Sequence, residues 1–310
     1  MEDMETFIAP GREVRDGEYQ LMKLTGLIKS WAAKSNGDHR ILHMASFSRS
    51  GETLMLRCLD AHPGIHVVHH IHQPELPENK QLFRLLRKWK KITIPAATSQ
   101  IQAAKVPAGA TLVLKNAEWT HRWPSDGFVM VRNPLSVVNS LNRRLPNPER
   151  WARGIAPSLL NAMIDKPPAE KVALVYETKM LVLANCGLPI VRYEDFVMHP
   201  EIILKQLLTT LKIPWDDWVV RSHERYTKGQ RGHGQIRLWK PIHDASLDSW
   251  KDLPKDTIDL ILRINAGSMA AFGYEMRAGN LCLRKENPNL IHHDREFSFF
   301  GRLKSMLRGV

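Results

Sequence analysis

The residues best suited to chemistry lie in the stretch 47–53, which reads Phe-Ser-Arg-Ser-Gly-Glu-Thr. An apolar run precedes it and apolar residues at helical spacing follow it, so the pattern predicts a strand, a tight loop and a helix. Backbone N–H groups and the dipole at the start of a helix attract negative charge. The stretch therefore predicts an anion site, and its candidate binding residues are Ser48, Arg49, Ser50, Gly51, Glu52 and Thr53.

This loop differs from the Walker loop of nucleoside-triphosphate enzymes. A Walker loop has Lys directly before the Ser or Thr that starts the helix, and Glu52 stands in that place before Thr53. The basic residue is Arg49, three positions before Glu52. Since a carboxylate repels an anionic ligand, we expect Glu52 to turn away from the ligand and to complement the helix dipole.

A second polar pattern combines Arg132-Asn133-Pro134 with Ser140, eight positions after the arginine. Arg132 closes a predicted strand, and Pro134 suits the first turn of a helix. Ser140 then falls in the second turn of that helix. We expect Arg132 and Ser140 to converge on one phosphate.

The elements that position these residues are strands alternating with helices. Apolar runs predict strands at 41–47, 64–71, 109–116, 127–132 and 189–193, and a long helical region spans 150–186. This alternation predicts an α/β fold with three αβα layers and a central parallel sheet of about five strands. Ligands bind such sheets at the carboxyl ends of the strands, where Arg49, Lys115 and Arg132 all fall.

We predict a single domain over 1–310, with a helical extension at 1–38, a core at 39–273 and a basic amphipathic tail at 274–310. The net charge of +12 attracts anions. Nucleic acid is not the predicted partner, because the chain has no zinc-finger, RNA-recognition or basic-region heptad pattern. The three cysteines form no metal or disulfide pattern. The acidic first residues and the absence of a long apolar run predict a cytoplasmic protein.

The motifs together resemble sulfotransferases that use 3′-phosphoadenosine 5′-phosphosulfate (PAPS), whose core is P-loop-like. Residues 49–63 are similar to the family's 5′-phosphosulfate loop, and Arg132 with Ser140 is similar to its 3′-phosphate site. Lys115 resembles the second catalytic cation, beside Arg49. The resemblance covers residues 40–273 and implies PAPS as co-substrate, with no metal.

Two later segments add to this resemblance. Tyr193-Glu194-Asp195 is similar to a family segment after the last strand, which would place Tyr193 against the nucleotide. Lys240-Pro241, followed by Trp250, resembles the segment that closes over the nucleotide in tyrosylprotein sulfotransferases and their bacterial relatives.

The predicted proton acceptor is His70, which stands where the tyrosylprotein branch has a glutamate. An unperturbed histidine pKa of roughly 6.5 leaves the ring mostly neutral and basic at cytoplasmic pH. His72 and Glu75 are the alternatives. These side chains could also bind zinc or be structural, and we place catalysis first because sulfuryl transfer requires no metal.

The function implied is in-line sulfuryl transfer from PAPS to an acceptor hydroxyl. Basic charge favours a saccharide or lipid-linked glycan as acceptor, with a peptidyl tyrosine or a small phenol or alcohol as alternatives. A basic amphipathic face in 297–310 favours peripheral contact with the inner membrane surface, or an ordinary docking helix. From other classes, a kinase-like nucleotide enzyme and a non-catalytic anion-binding protein stay open.

Overall fold

The computed structural model describes residues 39–68, 106–116, 126–142, 147–232, 236–283 and 289–291. Several predictions lie outside these residues. They are the base His70 with its alternatives His72 and Glu75, the extension at 1–38, and the amphipathic face within 297–310. Within the described part of the chain, no helix is both long and apolar enough to cross a membrane.

A five-stranded parallel sheet forms the centre of the fold, which confirms the predicted α/β class. Its strands follow the order β2-β3-β1-β4-β5, so the strand that leads into the loop at 47–51 is the central one. The strands are β1 Ile41–Ser46, β2 Ile65–Val67, β3 Thr111–Asn116, β4 Gly127–Val131 and β5 Ile190–Arg192. Ligands of such sheets bind where the strand order reverses, which is at the end of β1.

Nine α-helices lie among the described residues. They are α1 Glu52–Asp60, α2 Pro134–Asn142, α3 Pro148–Ile155, α4 Leu159–Ala162, α5 Pro168–Ala184, α6 Tyr193–Met198, α7 Pro200–Thr210, α8 Lys255–Ile264 and α9 Ala266–Ala271. A hairpin of β6 Tyr274–Arg277 and β7 Asn280–Leu283 follows.

The described residues divide into two compact units. The first holds 39–43, 52–68, 106–115, 214–232 and 236–242. Here α1 packs against β2, and β2 pairs in parallel with β3, with Ile65 opposite Thr111. The apolar side of α1 that the sequence predicts is buried, including Leu54, Met55 and Cys58. This packing fixes the direction of α1, and with it the position of the helix start at Glu52.

The second unit holds 44–51, 116, 126–142, 147–213, 243–283 and 289–291. Its core surrounds α5, which contacts α2, α3, α8 and α9. A helix that is contacted on several sides must be apolar around most of its circumference, and α5 buries twelve of its residues. Trp151 and Trp250 belong to this core, so packing explains both rings.

Two features differ from the sequence prediction. The helical region at 150–186 is three helices rather than one, because Pro157, Pro167 and Pro168 interrupt it. The hairpin β6–β7 lies at the start of the range for which a basic tail was predicted, and its first residue, Tyr274, is buried. Division of the whole chain into a single domain stays a prediction.

Candidate active site

The loop after β1 is anchored in the core of the second unit by Phe47. Its ring is fully buried and makes edge-to-face contacts with Trp151 and Tyr176, at centroid distances of 5.4 and 5.3 Å. The chain then turns, and the backbone N–H of Ser50 donates to the carbonyl of Phe47 at 3.3 Å. A bulky aromatic anchor therefore fixes the point from which the loop departs.

The loop turns through two residues in the left-handed region of backbone space. Gly51 has φ of 90° and Arg49 has φ of 74°. Glycine adopts this region at little cost, whereas a residue with a side chain is strained there by about 1–2 kcal/mol. Such strain is found where the surrounding structure requires a particular side chain at that point. The strained residue here is the arginine that the sequence marks as a catalytic cation.

Gly51 is also required by a close approach of Tyr193. A Cβ atom added at Gly51 would lie 2.3 Å from Cδ2 of Tyr193 and 3.1 Å from Cε of Met130. The ring of Tyr193, the first residue of α6, therefore fills the space beside the loop. Any larger residue at position 51 must displace that ring or the loop.

The side chain of Arg49 reaches the helix that follows β4. Its Nε donates to Oγ of Ser140 at 2.9 Å. Ser140 lies in the second turn of α2, as its spacing from Arg132 predicts, and α2 begins at Pro134. The structure thus joins the two motifs that the sequence identified separately.

Arg132 lies beside the same loop. Its Nη1 donates to the backbone carbonyl of Arg49 at 3.3 Å, and its Nη2 donates to the carbonyl of Ser246 at 2.8 Å. The guanidinium carbon is 4.5 Å from the centre of the Tyr193 ring, a cation–π contact. Only 8% of Arg132 is exposed. A nearly buried guanidinium held over an aromatic ring is pre-organised for a phosphate.

The turn after Arg132 is fixed by a buried polar network. Asn133 caps α2 by accepting from the N–H of Ser136 at 2.8 Å. Oε1 of Glu194 accepts from the backbone N–H and from Nδ2 of Asn133, at 3.1 and 2.7 Å. Its Oε2 accepts from the hydroxyl of Tyr274 at 2.7 Å. Glu194, the middle residue of the Tyr-Glu-Asp segment, therefore holds the Arg-Asn-Pro turn in place.

A second tyrosine holds the arginine's own backbone. The hydroxyl of Tyr176 donates to the carbonyl of Arg132 at 2.5 Å. Burial raises the pKa of Tyr176 well above its ordinary value of 10, with the charges of Glu194 and Glu177 adding to the effect. Burial likewise raises the pKa of Tyr274. Both phenols therefore keep the proton that they donate.

Two buried donors of this site have no hydrogen-bond partner within the part of the chain that the structure describes. They are the hydroxyl of Ser50 and Nε of Arg132. Buried polar atoms are nearly always satisfied, so each such atom needs an explanation. Anionic groups of a ligand bound beside the loop would accept from them. The donor set of guanidinium, hydroxyl and loop N–H groups thus fits a phosphorylated ligand.

In the first unit, Glu52 pairs with Lys115. Its Oε1 lies 3.0 Å from Nζ of Lys115, and both side chains are largely buried. The carboxylate is thus compensated by a neighbouring cation instead of being turned into solvent. Lys115 lies on β3 next to its last residue, where the prediction for the second cation put it. Its catalytic role stays a prediction.

The segment that contains Lys240 is held by a buried arginine. Nη1 of Arg57, on α1, donates to the carbonyls of Leu238 and Lys240 at 2.9 and 2.8 Å. The side chain of Lys240 is exposed.

Two further candidate residues lie in the stretch 47–53. Ser48 is half-buried, and Thr53 lies in the first turn of α1.

Sequence reasoning missed three residues that shape this site. They are Tyr176, Glu194 as a positioning group, and Ser246. Each acts across more than forty positions of sequence, so no local spacing marks them. No group of three His, Cys, Asp or Glu residues suited to a metal occurs within the described ranges, and the predicted base lies outside them.

No family model matches the chain. The chain is 25% identical over 291 residues to protein-tyrosine sulfotransferase 1 of Danio rerio, covering 84% of this chain and 79% of the relative. Its structure is similar to the sulfotransferase domain from the curacin biosynthetic pathway, with a TM-score of 0.48, 18% identity, and coverage of 74% of this chain and 97% of that domain. The sulfotransferase domain of the Synechococcus PCC 7002 olefin synthase gives a TM-score of 0.44, 20% identity, and coverage of 74% and 96%.

Proposed function

We propose that this chain, a member of the sulfotransferase family, transfers a sulfuryl group from PAPS to an acceptor hydroxyl. The observation that carries the proposal is the contact of the Arg49 loop with Ser140 and Arg132 in one unit. Two basic side chains and a serine of this unit then lie close enough together to bind one ligand with two phosphate-bearing ends.

The residues of the second unit divide between those two ends. Arg132 and Ser140 would hold the 3′-phosphate, since a guanidinium and a hydroxyl are the groups that bind such an anion. Arg49, the Ser50 hydroxyl and the loop N–H groups would hold the phosphosulfate. The ring of Tyr193 lies beside Gly51 and contacts the guanidinium of Arg132, so it fixes the positions of both relative to each other.

When bound, PAPS supplies the sulfuryl group that the acceptor oxygen receives. The chain's contribution is to stabilise charge that develops on the sulfuryl oxygens and the departing 5′-phosphate. Arg49 is suited to this because Ser140 fixes its guanidinium before any ligand arrives. Losing one pre-organised donor of this kind costs about 2.7–4 kcal/mol of barrier. Lys115 is proposed as the second cation.

The acceptor's proton requires a base, and we propose His70, with His72 and Glu75 as alternatives. A neutral imidazole near its ordinary pKa can take a proton from a hydroxyl as the oxygen attacks. Replacing the base with alanine should abolish transfer and leave nucleotide binding nearly intact. Variants His70→Ala, His72→Ala and Glu75→Ala, assayed side by side, identify it.

The acceptor is proposed to be a hydroxyl of a saccharide or lipid-linked glycan, since the net charge of +12 favours an anionic or membrane-associated partner. A peptidyl tyrosine is the second candidate. It is favoured by the similarity to the Danio rerio relative, which is a protein-tyrosine sulfotransferase.

The test is transfer of label from ³⁵S-PAPS to a panel of saccharides, glycolipids, tyrosine peptides and simple phenols, in EDTA. We expect labelling of at least one class, and Arg49→Ala should lower its rate about 100-fold or more. A kinase-like enzyme would instead bind ATP with Mg²⁺ and label nothing. A non-catalytic anion-binding protein would bind without a 3′-phosphate preference and lose affinity steeply with salt.

A further inference from the structure

We propose that Ser246 is a positioning residue of the nucleotide site, which sets Tyr193 and Arg132 at once. This inference rests on the proposed function. The hydroxyl of Ser246 lies 2.7 Å from the hydroxyl of Tyr193, within hydrogen-bond distance. Its backbone carbonyl accepts from Nη2 of Arg132 at 2.8 Å. One residue therefore contacts both Tyr193, whose ring fills the space beside Gly51, and Arg132, which bonds to the loop at the carbonyl of Arg49.

Both partners of Ser246 have little other freedom. Tyr193 is 7% exposed and Arg132 is 8% exposed. The Tyr193 ring fills the space beside Gly51, and the guanidinium of Arg132 lies over the same ring. A rotation of the phenol would therefore move the surface on which Arg132 rests. The Ser246 hydroxyl fixes the hydroxyl end of the Tyr193 ring. Neither Gly51 nor Arg132 makes a hydrogen bond to that end.

The segment around Ser246 is itself anchored to the helix that carries Ser140. The side-chain amide of Asn139, the residue before Ser140, donates to the carbonyl of Ser249. The N–H of Leu247 donates to the carbonyl of Asp244 at 2.8 Å, which closes a turn at Ser246. A turn tied to α2 thus holds Tyr193 and Arg132 in fixed relation to Ser140.

The expected effect is on nucleotide affinity. Without the Ser246 hydroxyl, the ring of Tyr193 loses its restraint and Arg132 samples orientations that do not suit a 3′-phosphate. The dissociation constant for adenosine 3′,5′-bisphosphate should rise about 3- to 10-fold, the equivalent of one hydrogen bond. The loss should appear in KM for PAPS more than in kcat, because the loop cation Arg49 is not altered.

A double-mutant cycle of Ser246→Ala and Tyr193→Phe tests this, with binding of adenosine 3′,5′-bisphosphate followed by calorimetry. Each single variant removes the same contact between the two hydroxyls. The double variant should therefore bind adenosine 3′,5′-bisphosphate no more weakly than either single variant. Ser246→Thr, which restores a hydroxyl, should recover most of the affinity. Ser158→Ala is the matched control, since exposed Ser158 makes no capping hydrogen bond through its side chain.

Full affinity in Ser246→Ala, or additive losses in the double variant, would overturn the positioning role alone. Thermal unfolding of each variant without ligand shows whether an affinity loss reflects misfolding. An equal loss of affinity for adenosine 5′-phosphate, which lacks the 3′-phosphate, would also contradict the role. Failure of the unaltered protein to bind adenosine 3′,5′-bisphosphate would overturn the proposed function, and this inference with it.

Discussion

Nε of Arg49 donates to Oγ of Ser140 at 2.9 Å, which joins two residues 91 positions apart. Arg49 follows the central strand β1, and Ser140 lies on the helix after β4. The contact fixes a cation in the loop and a hydroxyl on the helix relative to each other. A site whose geometry is already set lowers the entropy cost of binding the proposed nucleotide.

The first prediction concerns the strain at Arg49. Both Arg49→Gly and Arg49→Ala remove the guanidinium, so both should reduce sulfuryl transfer on the order of 100-fold or more. Only glycine relieves the strain of the left-handed backbone conformation at this position, where φ is 74°. The free energy of unfolding of the glycine variant should be up to about 1 kcal/mol higher than that of the alanine variant. Denaturant unfolding and initial-rate assays measure the two effects, and an alanine variant as stable as the glycine variant would refute the strain.

The second prediction separates binding from stability at Ser50. Its buried hydroxyl has no partner among the described residues, so Ser50→Ala should change the free energy of unfolding by less than about 0.5 kcal/mol. Affinity for adenosine 3′,5′-bisphosphate should fall about 10-fold or more, the value of a hydrogen bond to a charged group.

The control for Ser50 is Ser268→Ala, which removes a buried hydroxyl bonded to the carbonyl of Asn265 at 3.2 Å. That variant should lose stability and keep its affinity. A Ser50→Ala protein that is destabilised but binds normally would show that the hydroxyl is structural.

The third prediction is steric and concerns Gly51. In Gly51→Ala the new Cβ would lie 2.3 Å from the Tyr193 ring, at a φ of 90°. Overpacking and backbone strain together should lower the free energy of unfolding by about 2–4 kcal/mol. Gly229→Ala is the matched control, since Gly229 has φ of 103° with nothing within 4 Å, and it should show the strain alone. Equal losses in both variants would contradict the contact with Tyr193.

The sequence predicts all five strands of the central sheet because each is a short apolar run bounded by turn residues. It does not predict the β6–β7 hairpin. Polar Glu275 and Arg277 alternate there with apolar residues, and the turn uses Ala278 and Gly279, whose φ values are 48° and 77°. Asn-Gly or Asp-Gly is the usual signal for a turn with two positive φ values, and Ala-Gly lacks it.

The site could be predicted only where it follows local rules. Arg49, Arg132 and Ser140 are marked by their position after strands and by helical spacing, and the structure brings them together. The supports of the site depend on contacts between distant segments. Glu194 and Tyr274, for example, are 80 positions apart. Such pairs follow from packing, which no local pattern encodes.

The fourth prediction concerns pH and the core of the second unit. Buried Glu177 accepts from the N–H of Ser268 and from Nδ2 of Asn265, and burial raises its pKa above the ordinary value of 4.5. A carboxyl with a raised folded-state pKa favours the folded protein below pH 4.5. That contribution is lost as pH rises through the folded-state pKa.

Glu177→Gln does not titrate, so its free energy of unfolding should depend less on pH between 4.5 and 7 than that of the unaltered protein. Denaturant unfolding at several pH values measures the slopes. Glu201→Gln, at an exposed pair with Lys205, serves as the control and should keep the original slope. An unchanged slope in Glu177→Gln would show that this carboxyl does not set the pH dependence.

The most direct test of the central claim is calorimetric binding of adenosine 3′,5′-bisphosphate and of adenosine 5′-phosphate in EDTA, to the unaltered protein and to Arg132→Lys. We expect the unaltered protein to prefer the bisphosphate by about 100-fold, the worth of two charge-assisted hydrogen bonds. The lysine variant, which keeps the charge but loses the planar fork, should retain little of that preference. Equal affinity of the unaltered protein for the two nucleotides would contradict the account.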